Sequence, residues 1–257
     1  MESPPLGILI TGAGSGLGRG LAQMLAGKGH RLLLADRDRE AVEQTARPLQ
    51  QEGRAVSFHA LDVANAAQVR AFVQAAGEAR IDVLINNAGL QHVAGIEDFP
   101  EERWDLLIDV MLKGPFLLTQ ALLPRMRQQG FGRIVNIGSI HSLIASPYKS
   151  AYVAAKHGLL GLTKVAALET AAADITINTI CPAYVRTPLV DAQIRAQAKA
   201  HQISEQEVID KIMLEPMPKK AFITMEEIAA AVQFLIAPEA RNITGQTIVI
   251  DGGWTAR

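Results

Sequence analysis

The sequence predicts an α/β fold, a parallel sheet covered by helices on both faces. Three observations lead there. Short apolar runs alternate with amphipathic stretches along the chain, a glycine-rich turn directly follows the first run, and the second run ends in an acidic residue.

Seven runs qualify as strands: LGILIT (6–11), RLLLAD (31–36), AVSFHALD (55–62), IDVLINNAG (81–89), GRIVNIGS (132–139), ITINTICP (175–182) and TIVIDGG (247–253). Helical spacing fills the gaps, for instance Leu17, Leu21 and Met24 with Leu25, then Val69, Phe72 and Val73. No repeat, low-complexity tract or linker interrupts the alternation, so residues 1–257 are expected to form one domain. The stretch 189–222, rich in Gln, Lys and Glu and ending in PMPKK, reads as a helical insertion near a strand end, suited to a lid over a substrate.

Composition narrows the function classes. The chain has 257 residues, 49% apolar and 20% charged, with a formal net charge of −1. A nucleic-acid or anionic-lipid partner needs a basic surplus, which is missing, so small molecules or copies of the chain are the expected partners. The single cysteine, Cys181, excludes an internal disulfide framework and points to a reducing compartment. The opening MESPPLGILI lacks the basic region and long apolar run of a signal peptide, and no uninterrupted apolar window long enough to span a membrane is found, so a cytoplasmic protein is expected. His59, His92, His157 and His201 have no metal-ligand spacing, and no metal is expected.

After the first strand, TGAGSGLG places Gly12, Gly14, Gly16 and Gly18 in the turn that opens a helix near Leu17. Glycines permit a sharp turn and close backbone approach, and the helix amino terminus offers N–H groups and partial positive charge to a pyrophosphate. The pattern is T-G-x-x-x-G-x-G, which meets the usual dinucleotide fingerprint only in part; a plain tight turn is the alternative. Asp36, ending the second strand, stands where a carboxylate accepts both ribose hydroxyls of NAD and repels a 2′-phosphate, although the neighbouring Arg37 softens that preference. Asp62 and NNAG (86–89) fall at the ends of the third and fourth strands, where adenine and ribose would pass.

Tyr152 and Lys156 lie four apart, on one face of a helix, and Lys149 shares that face if the helix extends back. A phenol has an ordinary pKa near 10, and an ammonium about 4 Å away contributes roughly 4 kcal/mol at an effective dielectric near 20, at most about three pKa units. Such a tyrosine can take a proton from an alcohol while hydride leaves the carbon, with Ser139 holding the same oxygen.

T-G-x-x-x-G-x-G at 11–18, N-N-A-G at 86–89, Ser139, Tyr152-x-x-x-Lys156 and CPAYVRTP at 181–188 together resemble the short-chain dehydrogenase/reductases over essentially the whole chain. The resemblance implies a single Rossmann-type, doubly wound, seven-stranded sheet, hydride transfer with NAD(P), and a homotetramer. It implies catalytic roles for Ser139, Tyr152 and Lys156. It also implies cofactor contacts from Thr11, Gly12, Ser15, Gly16, Leu17, Gly18, Asp36, Asp62, Val63, Asn87, Ala88, Gly89, Tyr152, Lys156, Pro182, Val185 and Thr187. Two positions depart from the family pattern: Met111 replaces an asparagine that shapes a helix, and Ala183 replaces a glycine in the turn.

GLQHVA, GSIHSLIASPYKSAYVAAKHG, CPAYVRTPLVDAQI and the terminal DGGWTAR further resemble bacterial D-3-hydroxybutyrate dehydrogenases. That resemblance implies a carboxylate clamp of Gln91, His141, Lys149 and Gln193, with Trp254 near the site and Ser139 and Tyr152 at the C3 hydroxyl. The expected reaction is NAD-dependent, reversible oxidation of (R)-3-hydroxybutyrate to acetoacetate with Tyr152 as acid/base. A 3-oxoacyl thioester reductase and a dinucleotide-binding regulator without turnover are the alternatives.

Overall fold

The computed structural model describes residues 5–76 and 79–256; the opening MESP lies outside them. In chain order the elements are β1 (Gly7–Thr11), α1 (Gly16–Ala26), β2 (Arg31–Asp36), α2 (Arg39–Gln51), β3 (Val56–Ala60), α3 (Ala66–Ala75) and β4 (Val83–Asn86). They continue with α4 (Glu101–Ile108), a π-helical turn (Asp109–Lys113), α5 (Gly114–Gln129), β5 (Gly132–Ile137), α6 (Ser150–Thr170) and β6 (Ile175–Pro182). The chain finishes with α7 (Pro188–His201), α8 (Glu205–Val208), α9 (Met225–Ile236) and β7 (Thr247–Ile250).

All seven expected strands form, in one parallel sheet of order β3-β2-β1-β4-β5-β6-β7. The strand direction of growth reverses between β1 and β4, and the crevice at their carboxyl ends is where an open α/β sheet binds a ligand. Every residue of β1, β4, β5 and β6 is buried, as uninterrupted apolar runs between two helical layers require. The strand pleat sends Ile8 and Ile10 to one core, with Leu21 and Leu25 of α1 and Ile228 and Val232 of α9. It sends Leu9 to the other, with Val69 of α3, Leu118 of α5 and Ala155 of α6.

Three strands fall at least three residues short of the expected runs. β4 stops at Asn86 because the following residues turn into the crevice, and β7 stops at Ile250 because Gly252 and Gly253 adopt φ of 61° and 89°. β3, one edge of the sheet, ends at Ala60, and Leu61 and Asp62 lead out of it. The continuous helical run Glu101–Gln129 is long and apolar enough to cross a membrane, but its most apolar window is 50% buried inside the molecule. The 189–222 stretch is helical as expected only as far as Met213, with turns from 214 to 222, and α7 and α8 share a small core of their own built on Val190, Ile194, Val208 and Met213.

Candidate active site

A cavity of about 680 Å³ runs along the carboxyl ends of the strands. Its floor at one end is the turn after β1. Gly12 has φ +64°, and a Cβ built on Gly18 would stand 2.2 Å from the Gly12 carbonyl oxygen, so α1 can close on the turn only without a side chain there. Ser15, the residue before α1, makes no side-chain cap, and the first turn of α1 holds no acidic residue. The N–H groups at this helix start therefore remain for an anion.

Asp36 faces that turn. Its carboxylate accepts from the backbone N–H of Gly14 at 2.9 Å and of Asp38 at 3.0 Å, and it lines the cavity beside Arg37. Asp62, Val63, Asn87, Ala88 and Gly89 continue the wall. Asn87 is held by hydrogen bonds from its side-chain amide to the carbonyls of Thr11 (2.9 Å) and Gly12 (3.2 Å). Pro182, Val185 and Thr187 close the opposite side, and the Thr187 hydroxyl caps α7 by accepting from Val190 N–H at 3.4 Å. An uncapped helix start, a close-packed glycine turn and an anchored carboxylate are the features that fit a dinucleotide.

Two residues expected at the cofactor stand behind the wall. Thr11 is buried, and its hydroxyl accepts from the N–H groups of Asn87 (3.0 Å) and Ala88 (3.1 Å) while donating to Ile85 O (3.3 Å); it splices the β1 and β4 ends together. Gly18 gives α1 its close approach to the turn and does not line the cavity.

At the other end of the cavity, Ser139 follows β5, and Tyr152 and Lys156 rise from α6. Ser139 lies close enough to Tyr152 for its hydroxyl to lower the phenol's pKa. The Ser139 hydroxyl also accepts from His141 N–H at 3.1 Å, and the Ser142 hydroxyl holds Ser139 N–H at 3.2 Å, so the serine is fixed by its own loop. Lys156 Nζ donates to Ile137 O at 2.7 Å and lies 5.8 Å from the centre of the Tyr152 ring. Burial raises the Tyr152 pKa, with the Ser139 hydrogen bond opposing it, and burial lowers that of Lys156 to about 8. The depression of the tyrosine expected from its lysine is therefore outweighed here: the ammonium is turned to the strand carbonyl, and desolvation of the phenolate dominates.

Met111, at the family's asparagine position, is buried at the heart of the π-helical turn and lines the cavity, so the widened helix forms without the amide. Ala183 is not among the residues with positive φ, and its Cβ carries no strain.

Gln91, His141, Lys149 and Gln193, drawn from four parts of the chain, all line this same end. Tyr148 takes φ +66°, a left-handed turn uncommon for an aromatic, and its carbonyl accepts from Ala94 N–H at 3.1 Å. That turn starts α6 with Lys149 at the cavity wall. Lys149 is partly buried, burial lowers its pKa, and it has no ion-pair partner among the described residues. Gln91 Oε1 is buried without a hydrogen-bond partner.

Both ring nitrogens of His141 already face serine hydroxyls. Its Nε2 stands 2.7 Å from the Ser146 hydroxyl and its Nδ1 3.4 Å from the Ser139 hydroxyl, and burial, with the nearby Lys149 charge, pushes its pKa down to about 4. The ring is neutral near pH 7, so of Gln91, His141, Lys149 and Gln193 it is Lys149 that brings a positive charge. Trp254 does not line the cavity; it backs His141, with ring centres 6.4 Å apart. Sequence reasoning gave no role to Tyr184, which lines the cavity and packs at 6.0 Å on Trp254. Its only sequence signal was an aromatic ring within the CPAYVRTP turn.

The family described as enoyl-(acyl carrier protein) reductase matches residues 12–255. The D-beta-hydroxybutyrate dehydrogenases of Rhizobium meliloti and Cupriavidus necator are each 42% identical over 256 residues, covering 97% of this chain and 98% and 97% of the relatives. Among solved structures, the actinorhodin polyketide ketoreductase with NADPH is 31% identical, covers 98% of both chains and superposes with a TM-score of 0.92. A structure from Agrobacterium tumefaciens with bound NADP is 34% identical over 98% of this chain and 97% of that one, with a TM-score of 0.86. Likeness this high over nearly the whole length, carried by the same sheet and crevice, means that the chain belongs to the short-chain dehydrogenase/reductase family of nicotinamide-dependent oxidoreductases.

Proposed function

We propose that the protein oxidises a short (R)-3-hydroxy acid, with 3-hydroxybutyrate as the reference substrate and acetoacetate as its product, using NAD. The observation that carries this reading is Lys149, a partly buried lysine without an ion partner among the described residues, in the same cavity as Gln91, Gln193, Ser139 and Tyr152. A carboxylate held there by one charge and two amides directs the C3 hydroxyl to Ser139 and Tyr152. NAD, held along the turn at 12–16 and Asp36, would supply the hydride acceptor for C3. Tyr152 accepts the hydroxyl proton, Ser139 holds the oxygen, and Lys156, fixed to Ile137 O, keeps a positive charge behind the phenol. Because burial favours the protonated phenol, rising pH favours oxidation and falling pH favours reduction of the ketone.

The choice of NAD rests on Asp36, whose anchored carboxylate meets the ribose hydroxyls and repels a 2′-phosphate. We read residues 1–257 as one catalytic domain, with 189–222 as a lid that brings Gln193 in and excludes water. We also read the protein as a cytoplasmic homotetramer; Phe116, Val165 and Leu168, exposed on α5 and α6, are apolar surface suited to copies of the chain.

The test is NADH or NADPH formation from (R)- and (S)-3-hydroxybutyrate with each dinucleotide. Turnover selective for the R enantiomer and for NAD supports the reading. Activity confined to thioester ketones with NADPH would sink it and favour a 3-oxoacyl reductase.

A further inference from the structure

Three rings, Tyr152, His141 and Tyr184, line the reacting end of the cavity, and a fourth, Trp254, backs them. Tyr152 and His141 lie 6.0 Å apart between centres, His141 and Trp254 6.4 Å, and Trp254 and Tyr184 6.0 Å. The polar groups along this wall are not equally free. The Tyr152 phenol is acted on by the Ser139 hydroxyl, and both His141 nitrogens face serine hydroxyls. No hydrogen bond to a described residue acts on the Tyr184 phenol, and the residue lines the cavity.

Tyr184 is also well seated. Its carbonyl accepts from Ile223 N–H at 2.9 Å, and the next residue, Val185, forms a bridge with Ile223. Its ring leans on Trp254 at an interplanar angle of 31°. Tyr184 lines the same cavity as Ser139, His141 and Tyr152, and its ring is joined to theirs through Trp254.

We propose, resting on the reading above, that Tyr184 is a specificity-determining residue: its hydroxyl hydrogen-bonds an oxygen on the carbon beyond the carbinol, so the favoured substrates are 3-hydroxy acids that carry a hydroxyl at C4. With the acid group at Lys149, on α6, and the carbinol at Ser139 and Tyr152, the remaining substituent turns to the wall contributed by the β6–α7 turn, where Tyr184 stands. A methyl group there strips water from the phenol and returns nothing, whereas a hydroxyl completes it. A site built to bond a substrate hydroxyl discriminates strongly against the analogue that lacks it.

The experiment compares kcat/KM for 3-hydroxybutyrate and for 3,4-dihydroxybutyrate of the same spatial configuration, in the wild type and in Tyr184→Phe. The wild type is expected to prefer the dihydroxy acid, and Tyr184→Phe to lower the dihydroxy-to-monohydroxy ratio by about ten-fold, the size of one hydrogen bond worth about 1.4 kcal/mol. A general loss of stability or activity cancels from that ratio. A ratio that moves by less than about two-fold, including one in which both substrates lose equally because Tyr184 holds the carboxylate, overturns the inference and leaves the dehydrogenase reading standing. Oxidation of neither acid by the wild type overturns both.

Discussion

Replacing Lys149 by methionine tests the carboxylate clamp most directly, because methionine keeps an apolar stem in the wall and removes the charge. An ammonium and a carboxylate about 4 Å apart attract by roughly 4 kcal/mol at an effective dielectric near 20. Lys149 is only partly buried and the cavity opens to water, so about half of that is a fair lower bound. Burial has already lowered the lysine pKa, however, so part of its desolvation is met by the fold and is not charged again on binding. The expected loss is about 2 to 4 kcal/mol, or roughly 30- to 700-fold in kcat/KM, for 3-hydroxybutyrate. The assay follows NADH formation with the acid and with its uncharged methyl ester at saturating NAD. The ester is expected to lose less than about three-fold, since it never had the charge pair. A loss below about five-fold for the acid, or equal losses for acid and ester, would refute the clamp.

Two further outcomes follow from the same geometry. Asp36→Ser removes the carboxylate that Gly14 and Asp38 N–H groups hold in place; the NAD-over-NADP ratio of kcat/KM should fall by about 10- to 100-fold, as expected for one or two charge-assisted hydrogen bonds, and an unchanged ratio would remove Asp36 from cofactor choice. His141 has a folded pKa depressed from 6.5 to about 4, so the unfolded chain binds more protons between those values; the stability it contributes is fully present above about pH 6.5 and lost as pH falls towards 4, worth about 3 kcal/mol. His141→Gln should flatten the denaturant-measured stability over that window, and an acid-side slope identical to the wild type would contradict the buried, neutral ring.

Much of the fold was legible in local chemistry. Alternation of apolar runs with amphipathic stretches located all seven strands, because a strand buried on both faces must be apolar throughout and its crossover helix must be apolar on one side. The glycines after β1, Asp36 at the end of β2 and the Tyr152–Lys156 spacing were readable because each depends on neighbours within a turn or on a strand end. The strand limits were harder: β7 ends where Gly252 and Gly253 turn, a conformation the apolar pattern does not announce.

What the sequence by itself determined, then, was the α/β layering, the phosphate-sized turn and the identity of the groups able to move a proton, since periodicity, glycine freedom and side-chain chemistry are properties of short segments. Only the tertiary structure decided what those groups face. It turned Lys156 to the Ile137 carbonyl, put Thr11 behind the cavity wall, made His141 neutral between two serines and brought Tyr184 onto Trp254. The physical reason is that desolvation and hydrogen-bond partnership depend on residues far apart in the chain, and these set both the charge state of a buried group and the direction in which it is free to act.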